Sequence, residues 1–414
     1  MTNEAFQALL ACGPVLLDGA TGSNLMRAGM PRGICTEVWV TEHPEPLLAL
    51  QRDYIAAGSQ IIYAPTFCAN RRGLARCGRE NDVALLNRQL VALSLEAADG
   101  HALVAGDLTT TGVPLEPAGT MTYHELFEIY TEQITALAEA GADLLVVETT
   151  LGIDEMTVAL EAAQSVCALP VLCSMTVQAD GSGYFGGTCV EAVETLQELG
   201  AAAVGINCST GPDQLESLVR NMRQAAKVPL LVKPNAGMPE ISPEGEAIYS
   251  MGPAAFAQHM RTLIDAGAAL VGGCCGTDED YIAALAKALK GAEFVRPAPK
   301  YPDLLPAATE KDVCYLPVDA GHGAVVAGAE HMEDGLTEAM EDGFPMAAVA
   351  IDSWEDVDAL ADCQYMISKP LCLVCQQADL LEAALRVYQG RALYEGGLSE
   401  EELKPLAGKY GVIG

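Results

Sequence analysis

The sequence predicts an α/β chain, a (β/α)8 barrel of the TIM type followed by a smaller C-terminal α/β segment, on three observations. Through about residue 290, short β-rich apolar runs alternate with longer helical patterns, the rhythm of β-α units around a parallel sheet. Eight such runs can be counted, the number that closes a barrel. Polar residues stand at or just past the C-terminal end of each run, the face on which barrel enzymes keep their active sites.

The runs follow one another in a regular way. Val15–Leu17 leads to Asp18, Gln60–Ala64 to Thr66, Ala102–Ala105 to Asp107, and Asp143–Val147 to Glu148. Val171–Met175 leads to Thr176, Ala202–Ile206 to Asn207, Leu230–Val232 to Asn235, and Ala269–Val271 to Cys274 and Cys275. Helical patterns between them end on glycine, as Tyr123–Ala140 does at Gly141 and Val190–Leu199 at Gly200. Taken singly, Asp18 or Asn207 reads equally well as a cap or turn residue. A polar ring around one mouth is harder to explain that way.

The expected domains are a barrel over 1–292, a linker over 293–310 and a small α/β domain over 311–414. The linker is marked by proline and charge in Arg296-Pro-Ala-Pro-Lys-Tyr-Pro-Asp303. Beyond it the β-α rhythm is weaker, with runs at Val313–Leu316, Ala347–Ile351 and Leu371–Val374 and a helix at Leu380–Tyr388. That length is too short for a second barrel.

Composition narrows the function classes. Half of the residues are hydrophobic, enough for a sizeable core. Lys+Arg 23 against Asp+Glu 56 leaves a net charge of -33, which repels nucleic acid and anionic membranes, so neither is expected as a partner. Met1 leads into Thr-Asn-Glu with no basic stretch, and no apolar run approaches the ~18 residues a membrane span needs, so a cytoplasmic protein is expected. The 14 cysteines lie mostly in apolar segments, which fits reduced thiols, with Cys12, Cys167, Cys173 and Cys314 as small core residues.

The stretch Gly272-Gly273-Cys274-Cys275-Gly276-Thr277 fills a core poorly but can aim two sulfurs at one point. A third cysteine has a similar context, because the run ending at Ile206 continues as Asn207-Cys208-Ser209-Thr210-Gly211. Three thiolates converging on one ion would make a soft zinc site with its fourth position open, the arrangement of catalytic zinc. Such a site would activate a thiol, whose ordinary pKa of about 8.5 leaves it mostly protonated at neutral pH. The adjacent pair could instead be buried together or form a vicinal disulfide. Cys372-Leu-Val-Cys375 lacks a second cysteine pair and reads as core, and the six histidines have no metal-ligand spacing.

Asp18-Gly19-Ala20-Thr21-Gly22, Pro65-Thr66-Phe67, Glu148-Thr149, Gly205-Ile206-Asn207-Cys208, Pro234-Asn235-Ala236-Gly237 and Gly272–Thr277 resemble, in order and spacing, the homocysteine S-methyltransferase family. Within it the likeness is greatest to the homocysteine-binding zinc barrel of the cobalamin-dependent methionine synthases, over residues 10 to 292. The resemblance implies that Cys208, Cys274 and Cys275 ligate Zn2+ and that homocysteine sulfur takes the open place. It implies that Asp18 and Glu148 hold the substrate ammonium, that amides around Gly19, Ala20 and Thr21 meet its carboxylate, and that Asn207 and Asn235 line the site. By the same resemblance, Asn235 matches a family position close to the metal. Departures from the family pattern occur at Cys68 and Cys189, where glycine and Asp-Pro are usual.

The tail is similar to the middle of a pterin-binding folate barrel at Pro370–Val374, Leu380–Leu385, Gly390–Leu393 and Leu403–Gly411, but such a barrel could not close within it. A cobalamin signature Asp-x-His-x-x-Gly does not occur in the chain. The expected function is therefore zinc-dependent methyl transfer to homocysteine, forming methionine. The donor would be a methylated corrinoid protein acting in trans, or a small onium compound such as S-methylmethionine or a betaine. Alternatives are a non-catalytic zinc- or thiol-binding subunit, and a methyltransferase acting on another thiol. An open half-barrel tail is expected to pack on the first barrel or on a second copy, giving a homodimer.

Overall fold

A computed structural model describes residues 1–116, 118–241, 247–293 and 296–414. The barrel strands are β1 (Val15–Leu16), β2 (Ile61–Tyr63), β3 (Leu103–Thr109), β4 (Leu144–Thr150), β5 (Val171–Met175), β6 (Ala203–Cys208) and β7 (Leu230–Pro234). A short antiparallel hairpin of β8 (Pro239–Ile241) and β9 (Ala247–Tyr249) intervenes before the last barrel strand, β10 (Ala268–Val271). The eight parallel strands run in the order β1-β10-β7-β6-β5-β4-β3-β2.

The seam between β1 and β2 is drawn together by a mixture of backbone and side-chain bonds. Gln60 N donates to Leu16 O (2.7 Å), while Leu16 N donates to Gln60 Oε1 (3.0 Å). Ser59 Oγ donates to Leu17 O (3.0 Å), and Tyr63 N donates to Asp18 Oδ2 (2.8 Å). Polar side chains here replace the ladder that two-residue β1 is too short to supply.

Pleat alternation sorts the apolar residues into two shells, because successive side chains of a strand face opposite ways. Val15, Ile61, Ala105, Val146, Leu172 and Leu231 fill the barrel interior, closed at one end by Phe6 and Leu10 of the helix Asn3–Leu10. Ile62, Val104, Leu145, Cys173, Val204 and Val232 face outward into the surrounding helices. The same parity sends Asp107, Glu148, Asn207 and Lys233 inward, one pleat beyond the interior residues of their strands. Close strand packing explains Gly205, where a Cβ would lie 1.8 Å from Leu231 O.

Beyond the barrel, β11 (Leu305–Ala308) and β12 (Val313–Leu316) form an antiparallel hairpin. A parallel sheet of β13 (Ala347–Ala350), β14 (Leu371–Cys375) and β15 (Leu393–Gly396) follows, with its own apolar core around Leu336, Val349, Leu373 and Leu381. Part of the expected linker 293–310 is therefore ordered as β11, and residues 294 and 295 of it lie outside the described residues. Cys372 and Cys375 are buried within β14. The C-terminal segment meets the barrel through Tyr315 Oη to Glu194 Oε1 (2.7 Å), Lys409 Nζ to Glu161 Oε1 (3.2 Å) and the Arg386 guanidinium over the Tyr123 ring (4.5 Å).

Those contacts and the three strands of the sheet lead to a prediction. A pterin pocket draws on loops from strands all round a ring, so titration of the full chain with methyltetrahydrofolate in a calorimeter should show no micromolar binding. Measured micromolar affinity would place a donor site in residues 303–414. Among the described residues no helix is long and apolar enough to cross a membrane.

Candidate active site

β6 and β10 deliver the three sulfurs. At the end of β6 the backbone of Cys208 (φ 57°) and Ser209 (φ 51°) turns into the left-handed region, uncommon for residues carrying a side chain. The turn is held by Ser209 N donating to Thr176 Oγ1 (3.2 Å) and Val177 N donating to Ser209 Oγ (2.9 Å). Past β10 the chain runs between β1 and β7, with Gly273 N donating to Asp18 O (3.0 Å) and Cys274 N to Pro234 O (2.7 Å). The glycines permit this approach. A Cβ at Gly272 would lie 2.7 Å from Asp18 O, and Gly276 adopts φ 83° where a Cβ would meet the Tyr249 ring at 2.5 Å.

The Sγ atoms of Cys208, Cys274 and Cys275 come within 4.8 Å of one another. Hydrogen bonds from Cys208 and then Cys274 pull the Cys275 thiol well below its usual range, against the effect of burial. Asn235 lies alongside with 3 % exposure, and among the described residues its Oδ1 meets no hydrogen-bond donor. Three soft sulfurs beside an orphaned buried oxygen fit a soft, Lewis-acidic metal ion.

Next to the sulfurs is a buried charged cluster. Asp18, 1 % exposed, accepts from Tyr63 N through Oδ2, and its Oδ1 lies 2.9 Å from Lys233 Nζ. Lys233 is 4 % exposed and its ammonium sits 4.1 Å above the Tyr63 ring centroid. Burial alone would lower Lys233, but Asp18 and then Glu148 hold it well above its ordinary value, so it is a cation. Burial lifts the Glu148 carboxyl to about 7, with Lys233 opposing. Asp107 is raised by burial and then by repulsion from Glu148.

Asn207 organises this side of the mouth. Its Nδ2 donates to Glu148 Oε2 (3.3 Å) and Thr149 Oγ1 (2.7 Å), and its Oδ1 accepts from Thr149 N (2.9 Å) and Ser174 Oγ (3.0 Å). These bonds hold Thr149 at φ 58°, a costly conformation for a β-branched residue. On the opposite side, Gly19 leaves room for Tyr54, whose hydroxyl would lie 2.7 Å from a Cβ there. Ala20 N donates to Thr277 Oγ1 (3.2 Å) and Ala20 O accepts from Tyr54 Oη (2.6 Å), tying the loop to the end of the cysteine run. Thr21 precedes the helix Gly22–Arg27. The Gly19–Thr21 loop, Glu148, Thr149, Lys233 and the three cysteines border one cavity of about 690 Å³.

The homocysteine S-methyltransferase family model matches residues 15–289, a span that takes in every element just described. The chain belongs to the homocysteine S-methyltransferase family. The methionine synthase of Mycobacterium leprae (strain TN) is 30% identical over 294 residues, 66% of this chain and 24% of that protein. The methionine synthase of Mycobacterium tuberculosis (strain ATCC 25618 / H37Rv) is 28% identical over 298 residues, 68% of this chain and 25% of that protein. The chain thus spans about a quarter of the length of these relatives. The homocysteine methyltransferase MmuM of Escherichia coli in its metallated form shares the fold, with a TM-score of 0.56 and 24% identity over 68% of this chain and 99% of that one.

In this homocysteine S-methyltransferase family member the cysteines at 208, 274 and 275 meet at one point, and Glu148, Asn207 and Asn235 surround it. Asp18 is at the site but both of its oxygens serve protein partners. Cys68 borders the cavity, whereas Cys189 is buried at the start of the helix Cys189–Glu198. Lys233 was not expected. The apolar run Leu230–Val232 hides it by seeming to end one residue early, yet counting pleats from Leu231 would have pointed Lys233 into the mouth.

Proposed function

We propose that this chain transfers a methyl group to the sulfur of homocysteine, forming methionine, with zinc held by Cys208, Cys274 and Cys275. The convergence of these three sulfurs beside a buried carboxylate cluster is the observation that carries the reading, and the family membership supports it. Zinc on three thiolates supplies, when bound, a Lewis acid that keeps a thiol deprotonated at neutral pH while leaving the sulfur electron-rich.

The chain's own residues then fix the acceptor. Asn235, whose Oδ1 meets no donor among the described residues, stands beside Cys208 of the sulfur triad. Glu148 is aimed by Asn207 at the cavity, where it meets the acceptor's ammonium, and the Gly19–Thr21 loop borders the place of its carboxylate. The acceptor thiol gives up its proton, its sulfur forms a bond to the methyl carbon, and the bond from methyl to donor breaks with its electron pair leaving on the donor.

Incubation of zinc-loaded protein with homocysteine and a panel of methyl donors, with and without a corrinoid protein, tests this by methionine formation. No methionine from any donor, with homocysteine bound, would favour a non-catalytic thiol-binding role. The donor itself is separable by salt. With a chain charge of -33, transfer from a protein donor should change severalfold in rate between low and physiological salt, and transfer from S-methylmethionine or a betaine should change little.

A further inference from the structure

Three further cysteines border the cavity and take no part in the sulfur triad. Cys35 and Cys68 are half-buried, and Cys77 is exposed. Cys35 stands just before the helix Thr36–Glu42, and Cys77 two residues past the helix Arg71–Ala75. The fold brings these two segments together at the rim. Cys35 packs against the apolar cluster of Leu74, Val83 and Leu86, while Cys77 donates to Leu74 O from both N (3.0 Å) and Sγ (3.1 Å). The Cys35 and Cys77 thiols are in hydrogen-bond contact, and the Arg79 guanidinium is within electrostatic reach of both sulfurs.

A metal ion does not account for this cluster. Glu37 accepts from Cys35 Sγ through Oε2 (3.3 Å) and from Cys68 N through Oε1 (2.9 Å). Among the described residues, however, only Cys208, Cys274 and Cys275 gather three ligand atoms within 4.8 Å of one another. Cys35 and Cys77 offer a dithiol instead. Two thiols in contact, carried by separate segments and with one of them open to solvent, are arranged for thiol–disulfide exchange.

We infer that Cys35 and Cys77 form a reversible disulfide across the rim of the cavity, with a small-molecule disulfide as the oxidant. Exposure sets the order of events. The Cys77 thiolate attacks one sulfur of the reagent, forming a mixed disulfide and expelling the first small thiolate with its electron pair. Burial, and then the contact with Cys77, push the Cys35 thiol up to about 12, so it stays protonated at neutral pH and reacts second. Its proton leaves along the hydrogen bond to Glu37 Oε2 as its sulfur attacks Cys77 Sγ and expels the second small thiolate. Two protein thiols are thereby oxidised, and one disulfide is reduced to two thiols. Contact between the sulfurs offsets the low acidity of Cys35, because a reaction within one molecule has a far higher effective concentration than one with a free thiol. The bridge ties the entry of the helix Thr36–Glu42 to the end of the helix Arg71–Ala75, and so fixes the width of the mouth.

The test incubates the zinc-loaded full chain with oxidised glutathione, blocks the remaining thiols with iodoacetamide and maps the unreduced protein by trypsin and mass spectrometry. Cleavage at Arg32, Arg52, Arg71, Arg76 and Arg79 places Cys35, Cys68 and Cys77 on three different peptides. The expected product is a Cys35–Cys77 cross-link that dithiothreitol removes, with zinc content unchanged. Cys35→Ser should stop at a glutathione adduct on Cys77, and Cys77→Ser should leave Cys35 unmodified. Release of zinc to a chelator should slow severalfold in the bridged protein and not in Cys35→Ser treated in the same way. A glutathione adduct on Cys77 of the unaltered protein with no cross-link would overturn the inference, as would bridging of either cysteine to Cys68 or cross-links confined to Cys208, Cys274 and Cys275. A bridge that left zinc release unchanged would overturn its effect on the mouth. Neither cysteine belongs to the triad, so these outcomes are separate from the fate of the methyl-transfer reading.

Discussion

Replacement of Cys274 by alanine should strip the protein of zinc and of methyl transfer together while leaving the barrel folded. Cys274 supplies one of three sulfurs gathered within 4.8 Å, and its amide is separately fixed to Pro234 O at 2.7 Å. The substitution therefore removes a ligand without releasing the loop that carries its neighbours. Loss of a group that merely orients a metal ligand costs about 10- to 100-fold in metal affinity, and loss of the ligand itself should cost more. Metal content per chain, X-ray absorption and far-UV circular dichroism measured on the same sample decide the matter. A Cys274→Ala protein that kept one zinc in a three-sulfur shell, or kept full activity, would show that the ion is held elsewhere.

The second large effect is expected at Asp18. If this carboxylate served the substrate, its removal would raise the homocysteine KM and leave stability nearly unchanged. The structure leads to the opposite expectation. Asp18→Ala leaves the Lys233 ammonium buried without its partner and frees the Tyr63 amide at the seam. Breaking a buried ion pair from one side typically costs about 3–5 kcal/mol. At about 2–4 °C per kcal/mol for a large domain, the melting temperature should fall on the order of 10 °C. Adding Lys233→Met to Asp18→Ala removes the stranded charge and should recover most of the loss, so a double-mutant cycle in denaturant measures the coupling. A loss below about 1 kcal/mol in Asp18→Ala, accompanied by a raised KM, would return Asp18 to the substrate.

The difference between those two residues shows what could be read from the chain directly. The cysteine run was legible because its meaning is local: glycines on both sides of Cys274 and Cys275 have few uses other than close backbone approach. The strands were legible because apolar runs of similar length recur with helical patterns between them. The Asp18–Lys233 pair was not, since it joins the first barrel strand to the seventh, and nothing in either neighbourhood names the other. The strand β11 was hidden by its composition, because Pro306 before two alanines reads as linker; the proline is tolerated because a two-stranded hairpin leaves one edge free of ladder bonds. Asp107 was visible as one of a ring of polar residues.

Ring closure sets an order of events during biosynthesis. β1 pairs with β10, Val15 against Leu270 and Leu16 against Val271, so the first strand made must wait for the last. Contacts of such long sequence separation form late and slowly. Cys208 emerges earlier than the other two sulfurs, and Cys274 with Cys275 take their places only as β10 docks between β1 and β7. On the proposed zinc reading, capture of the ion is thereby coupled to ring closure, because a nascent chain brings the three sulfurs together only then. An ion held there would in turn act as a latch, since a ligand at about a thousand times its dissociation constant stabilises the form that binds it by about 4 kcal/mol. Zinc availability during synthesis should therefore set the yield of closed barrels as much as the activity of finished ones.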